Sequence, residues 1–195
     1  MIEYINNVIK DLGVLDYITE TVMSQRGWQI VHDHLYQPAD SGFDTGKFSD
    51  TGFVLETFNK EPNSGFNPKI NSFGDLIINQ IFKQSRFIYE NIVVTRYFWN
   101  YYNRSSTGTW HQDSTEFDPP GNYSSIVFYL NDSDGGTYVE KEFVQHKQNC
   151  AIIFDSKTMH RGVGPTTAKQ RIALNVIFKY DSKKEQNGTS NRICL

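Results

Sequence analysis

A histidine and an aspartate stand two places apart in GTWHQDS (108–114), just beyond a run of aromatic and β-branched residues. In an extended strand, residues i and i+2 point to the same face with Cα atoms about 6.5–7 Å apart, so His111 and Asp113 can reach one metal ion together. Alone, the pair reads equally well as the polar end of a strand. A site of two histidines and one carboxylate needs a second histidine from a different strand, and it leaves open positions for substrate and O2. His160 in FDSKTMHRGVGP suits that place, because it follows the apolar strand CAIIF and precedes a glycine turn. Ten residues intervene before Arg171, at the head of the apolar strand RIALNVIF. An arginine there can hold a carboxylate through two parallel hydrogen bonds.

These residues need a rigid frame that brings distant stretches face to face. From YENIVVTRYFWNYYN onward, GTWHQD, YSSIVFYLND, GGTYVEKEFV, NCAIIFDS, TMHRGV and QRIALNVIFKY follow one another with Gly, Asn, Asp and Pro between them. Short strands at this spacing predict a β-sandwich or barrel. NDSDGG reads as a hairpin turn, with Gly135 and Gly136 serving it. Upstream, DLGVLDYITETVMSQRG carries Leu15, Ile18 and Val22 at helical spacing and ends on Gly27, and FGDLIINQIFKQSRF gathers Leu76, Ile77, Ile81 and Phe82 on one face. Loop-rich sequence around 36–66, broken by TGFVLETF, is a candidate substrate-positioning loop. The expected organisation is one domain over 1–180, with helical and loop support in 1–89, a β core in 90–180, and a polar, mobile tail in 181–195.

Composition narrows the function classes. The net charge is −3 and the basic residues are scattered, which argues against a nucleic-acid or membrane partner held by charge. The sequence shows neither a long apolar run nor a signal-peptide pattern, so a soluble, cytoplasmic protein is expected. Cys150 and Cys194 make neither a disulfide framework nor a zinc spacing.

The order His-x-Asp, YLND..GGT, FDS..MHRGVGP and a following arginine, over about residues 90–180, resembles the Fe(II)- and 2-oxoglutarate-dependent dioxygenases, on their prolyl 4-hydroxylase-like branch. The resemblance implies a double-stranded β-helix, a cupin-like jelly roll, mainly β with flanking helices (α+β). It assigns His111, Asp113 and His160 as catalytic Fe(II) ligands and Arg171 as the partner of the far carboxylate of 2-oxoglutarate. Tyr129, and Tyr102 or less well Tyr101, match tyrosines that assist it. O2 is the third reactant, and succinate and CO2 are the products that accompany hydroxylation of a carbon centre. A peptidyl or free amino acid is the expected substrate, prolyl among them. Two departures matter: Ala173 stands where many relatives carry serine, and Asp113 is present where related halogenases have alanine or glycine, which favours hydroxylation.

Trp99, Trp110, Gln112 and Arg161 flank the ligands and are candidate substrate residues, Arg161 for an anionic group. The rival pair His32 and His34 in VHDHLY has no completing partner downstream, and His146 in VQHKQN reads as a solvated turn residue. The alternative to an enzyme is a non-catalytic, cupin-like module that binds a metal or small acid. Arg171 separates the two, since a pure binding barrel has no reason to place a cation there.

Overall fold

In the computed structural model of the chain, the described residues are 1–25, 29–32, 51–59, 68–104, 106–115 and 118–185. Their elements run β1 (Glu3–Asn6), α1 (Leu12–Met23), β2 (Gln29–His32), β3 (Thr51–Asn59), α2 (Pro68–Gln84), β4 (Phe87–Glu90), β5 (Val93–Asn103), β6 (Asn122–Tyr129), β7 (Gly136–Val139), β8 (Glu142–Gln145), β9 (Cys150–Asp155), β10 (His160–Val163), β11 (Gln170–Tyr180) and β12 (Ser182–Glu185). The expected mainly-β fold with flanking helices is what forms.

Seven strands make a large antiparallel sheet in the order β1-β9-β6-β11-β5-β3-β2, and β10-β7-β8 make a small one. The stretch 107–111 adds to the small sheet beside β10 through isolated bridges, Thr107 to Val163 and His111 to His160. From β5 onward the chain therefore alternates between the sheets: β5 large, 107–111 small, β6 large, β7 and β8 small, β9 large, β10 small, β11 large. That alternation is the winding of a jelly roll.

Side chains alternate across each strand, so the large sheet has two unlike faces. Its outer face gathers Tyr97 and Trp99 of β5, Ile126 and Phe128 of β6, Ile153 of β9, and Ile172, Leu174 and Val176 of β11 into one core with both helices. Asp11 caps α1 by accepting from Gly13 N (2.9 Å) and Val14 N (3.2 Å), and the helix buries Leu15, Ile18 and Val22. In α2, Ile70, Ile77, Ile78 and Ile81 are buried, while Leu76, expected on that face, is exposed. The inner face carries a second cluster with Val127, Tyr129, Cys150, Ile152, Phe154 and Ala173, against Val139 and Val144 of the small sheet.

Four sequence expectations change. The N-terminal support is not only helix and loop, since β1 pairs with β9 and β3 pairs with β5. β3 occupies the middle of the 36–66 stretch; the rest of that stretch, with Gly27 and His34, lies outside the described residues. The tail begins as a strand, because β12 pairs with β4 through Ser182–Glu185, and residues 186–195 lie outside the described residues. NDSDGG is not a hairpin but the crossing from β6 to the small sheet. Gly135 is required there by close approach, for a Cβ would meet the Val163 carbonyl at 2.5 Å. No helix among the described residues is long and apolar enough to cross a membrane.

Asn149 ties the N-terminal segment to this core. It takes a left-handed conformation (φ 62°), and its buried side chain accepts from Ile9 N (2.8 Å) and donates to Ile9 O (2.9 Å). Replacing it by alanine strands two backbone groups and strains the turn. Asn149→Ala is expected to cost about 2–4 kcal/mol in urea denaturation, with the metal site still able to form.

Candidate metal and anion site

Three side chains meet where the 107–115 segment crosses β10. His111, Asp113 and His160 offer ligand atoms that all lie within 4.8 Å of one another. His160 Nε2 is 3.3 Å from Asp113 Oδ2, and His111 Nε2 is 3.8 Å from Asp113 Oδ1. Three ligands on one face of an octahedron with bonds near 2.1 Å stand about 3 Å apart, so little movement closes this set on an ion.

The surroundings fix how each ligand presents itself. His111 Nδ1 lies 2.9 Å from Thr109 O, and His160 Nδ1 lies 3.0 Å from Thr158 O. A carbonyl only accepts, so each Nδ1 carries its proton and each Nε2 turns a lone pair to the centre. His160 Nε2 is buried and faces Asp113 Oδ2. Asp113 is oriented by the Ser125 hydroxyl, which donates to Oδ2 at 2.6 Å and is itself 2.9 Å from Ser156 Oγ. Burial would raise the Asp113 carboxyl, but His160, His111 and Ser125 outweigh it and hold it well below the usual carboxylate range. Burial likewise works against a charged His160, and Asp113 reverses that, leaving its value raised. Arg96 completes the cluster, with Nη2 3.6 Å from Asp113 Oδ1. The predicted strand GTWHQD is not regular: Asp113 N and Ser114 N both donate to Ser156 O, at 2.9 and 3.2 Å, and this turn swings the carboxylate toward the histidines.

A second charged centre lies deeper on the same inner surface. Arg171 is buried (2 % exposed), and no carboxylate among the described residues forms an ion pair with it. Its Nη2 donates to Thr137 Oγ1 at 2.9 Å, its guanidinium stacks over the Tyr102 ring at 5.0 Å, and Nε makes no hydrogen bond among the described residues. Tyr129 also donates to Thr137 Oγ1, at 3.1 Å. With both lone pairs engaged, the Thr137 hydroxyl keeps its own proton to donate elsewhere. Donors of Arg171 and Tyr129 thus converge on one hydroxyl, and no carboxylate among the described residues joins them. Gly162 gives Arg171 and Tyr102 their room: a Cβ there would stand 3.0 Å from Arg171 Nη1 and from the Tyr102 ring. His160 and Gly162 are two residues apart on β10, about 7 Å, comparable with an extended five-carbon diacid.

The predicted residues divide into two groups. His111, Asp113 and His160 come together, as do Arg171, Tyr129 and Tyr102; Tyr101 instead faces the outer core. Trp99 leaves the candidate substrate set, being fully buried in the outer core. Arg161 follows inward-facing His160 and so points outward, stacked on Trp110 (4.9 Å) and Tyr138 (5.3 Å). Gln112 is exposed and donates to the Lys157 carbonyl. Of these four, Trp99 lies on the face of the large sheet turned away from the ligands. Sequence reading missed Ser125, Thr137, Arg96 and Gly162 as site residues, although Thr137 sits in the GGT motif and Arg96 shares the strand face of Tyr102. His146 is not solvated but buried, its ring 4.5 Å from that of Tyr129.

Solved structures share this arrangement of elements. A viral collagen prolyl hydroxylase from Paramecium Bursaria Chlorella virus-1, in complex with 2-oxoglutarate, matches 92% of this chain and 96% of its own, with TM-score 0.56 and 14% identity. HygX from Streptomyces hygroscopicus, with nickel, 2-oxoglutarate and hygromycin B bound, matches over 92% and 82%, with TM-score 0.56 and 12% identity. The chain has the fold of these proteins, a double-stranded β-helix. A prolyl hydroxylase from Trichoplax adhaerens, in complex with a hypoxia inducible factor peptide fragment, matches over 92% and 83%, with TM-score 0.52 and 14% identity. No protein-family model and no curated protein matches the sequence. At such identities the likeness is one of fold, so the chemistry has to be argued from the residues.

The ligand set makes a direct prediction. Co(II) or Mn(II) binding, followed by calorimetry, is expected to be abolished by His160→Ala and to weaken about 10-fold in Ser125→Ala, which only frees the carboxylate to turn.

Proposed function

We propose that the chain is an Fe(II)- and 2-oxoglutarate-dependent dioxygenase that hydroxylates a carbon centre, working as one domain over residues 1–180. The observation that carries this reading is the buried Arg171, without a counter-ion among the described residues, on the same inner surface as a two-histidine, one-carboxylate cluster. A buried cation of this kind is stabilised by an anionic ligand, and the distance to the cluster suits a diacid whose other end reaches the metal.

The donor set fits Fe(II), with two neutral imidazoles and one carboxylate leaving open positions. Bound there, Fe(II) supplies the O2 chemistry that couples conversion of 2-oxoglutarate to succinate and CO2 with hydroxylation of the substrate. The chain's own task is placement. His111 and His160 hold the metal through Nε2, and Ser125 keeps Asp113 turned toward it. Arg171 and the Thr137 hydroxyl receive the far carboxylate, Tyr129 and Tyr102 wall the pocket, and Gly162 leaves room for the chain between. Ala173 adds no donor, which leaves Thr137 to supply the hydroxyl. A peptidyl or free amino acid is the substrate class this reading favours.

With Fe(II), 2-oxoglutarate and O2, the protein is expected to release succinate, slowly alone and faster with substrate, and a screen of peptides and amino acids by mass spectrometry is expected to find a product heavier by one oxygen atom. Gly162→Ala is expected to retain Mn(II) and the fold while losing succinate release at least about 10-fold, because the methyl displaces Arg171 and Tyr102. Binding of metal and 2-oxoglutarate without succinate under any condition would instead establish a binding module.

A further inference from the structure

One buried group has no part in this scheme. His146 follows β8 and continues the inward side of Val144; it is 1% exposed, and with the Asn131 backbone beside the ring at least one ring nitrogen makes no hydrogen bond among the described residues. A neutral imidazole has one donor and one acceptor, and leaving either unmade in a folded interior is costly. Its place in the chain is not loose. His146 N donates to Gly135 O at 3.0 Å, and Ser133 N donates to His146 O at 3.3 Å, so the backbone is pinned on both sides and the ring is held against Tyr129. Tyr129 donates to Thr137, and Thr137 accepts from Arg171. Through Tyr129, His146 therefore borders the end of the inner surface where Arg171 has no carboxylate partner among the described residues.

We propose that His146 is a further cosubstrate-binding residue, donating one ring N–H to the far carboxylate of the diacid held by Arg171. This rests on reading the chamber as a 2-oxoglutarate pocket. A carboxylate offers about four lone-pair sites, enough for Arg171, Thr137 and His146 together, and one such ligand satisfies all three.

The charge around the ring gives the inference a second, independent handle. Burial holds His146 in its neutral form, the Arg171 charge reinforces this, and the backbone of Asn131 pulls weakly the other way. The groups around it are Arg171 from β11 and Tyr129 from β6, with Asp132, Asp134 and Lys147 lining a surface depression together with His146. Asp134 is spent on Thr166, Thr167 and Ala168, whose backbone N–H groups donate to it at 3.1, 2.7 and 2.9 Å. An anion beside Arg171 cancels the charge that disfavours a proton on His146. Diacid binding therefore raises the His146 value from the one that burial and Arg171 together set, with proton uptake where the pH lies near or between the two values. Affinity rises as pH falls through the value His146 takes in the complex, until it reaches the lower value of the free protein.

Calorimetric titration of the Mn(II)-loaded protein with 2-oxoglutarate tests this, at about pH 6.5 and about pH 8, in buffers of different ionisation enthalpy. Comparison with variants that keep all three metal ligands cancels any titration of those ligands. His146→Phe is expected to bind about 10-fold more weakly and to lose the proton uptake. His146→Gln, which keeps an N–H donor but cannot titrate, is expected to recover most of the affinity at the higher pH and to lose its pH dependence. If His146→Phe binds as the unmodified protein does, or if the phenylalanine and glutamine variants weaken equally while proton uptake persists, the inference is wrong. If the unmodified protein fails to bind 2-oxoglutarate at all, the pocket reading itself fails and takes this inference with it. Should the phenylalanine variant not fold, the glutamine variant and the proton uptake decide alone.

Discussion

Burying a guanidinium with no carboxylate beside it costs several kcal/mol, and a chain does not keep such a group unless something offsets the cost. Arg171 is held in this state by a stacked tyrosine, one threonine hydroxyl and a glycine that gives it room. None of these neutralises it. The interior is thereby poised for an anion, and the other fixed charges on that surface lie at the metal-ligating cluster, where Arg96 adds a further cation beside Asp113. One end of the chamber suits a carboxylate and the other suits a metal that a carboxylate can also reach. A keto diacid joins the two demands.

The fold makes this arrangement by alternating between two sheets. Each ligand-bearing stretch of the small sheet is followed by a strand of the large one, so residues remote in sequence face each other: His160 on β10, Asp113 before β6, and Arg171 on β11. The large sheet can present a polar inner surface because its outer surface is buried against α1 and α2, where Trp99, Phe128 and Phe178 are fully enclosed. Stability lies mainly outside the chamber, and chemistry within it. That separation explains why the inner strands tolerate Ser125, Thr137, Asn175 and Arg171 among apolar neighbours.

Much of this was legible in the sequence because strand alternation and motif order are local or nearly local signals. His-x-Asp, the later histidine and the arginine heading an apolar strand were enough to find both ends of the chamber. What the sequence left hidden depends on which way a strand turns. Trp99 and Tyr101 sit one residue from inward-facing positions of β5 and belong to the outer core, and Arg161 sits one residue from a ligand yet faces away from it. His146 has polar neighbours in the chain, which suggested a solvated turn, but the turn folds its ring inward beside Tyr129. Pairings such as β1 with β9 and β12 with β4 span more than ninety residues, and no local pattern announces them.

The central claim is that Arg171 and the metal cluster are two ends of one diacid pocket. The most direct measurement compares, by calorimetry on the Mn(II)-loaded protein, the binding of 2-oxoglutarate with that of 2-oxobutyrate, which has the same keto acid end but lacks the far carboxylate. The account predicts that 2-oxoglutarate binds at least about 10-fold more tightly, and that Arg171→Met erases the difference while leaving Mn(II) binding intact. Equal binding of the two acids, or an unchanged preference in Arg171→Met, would contradict it.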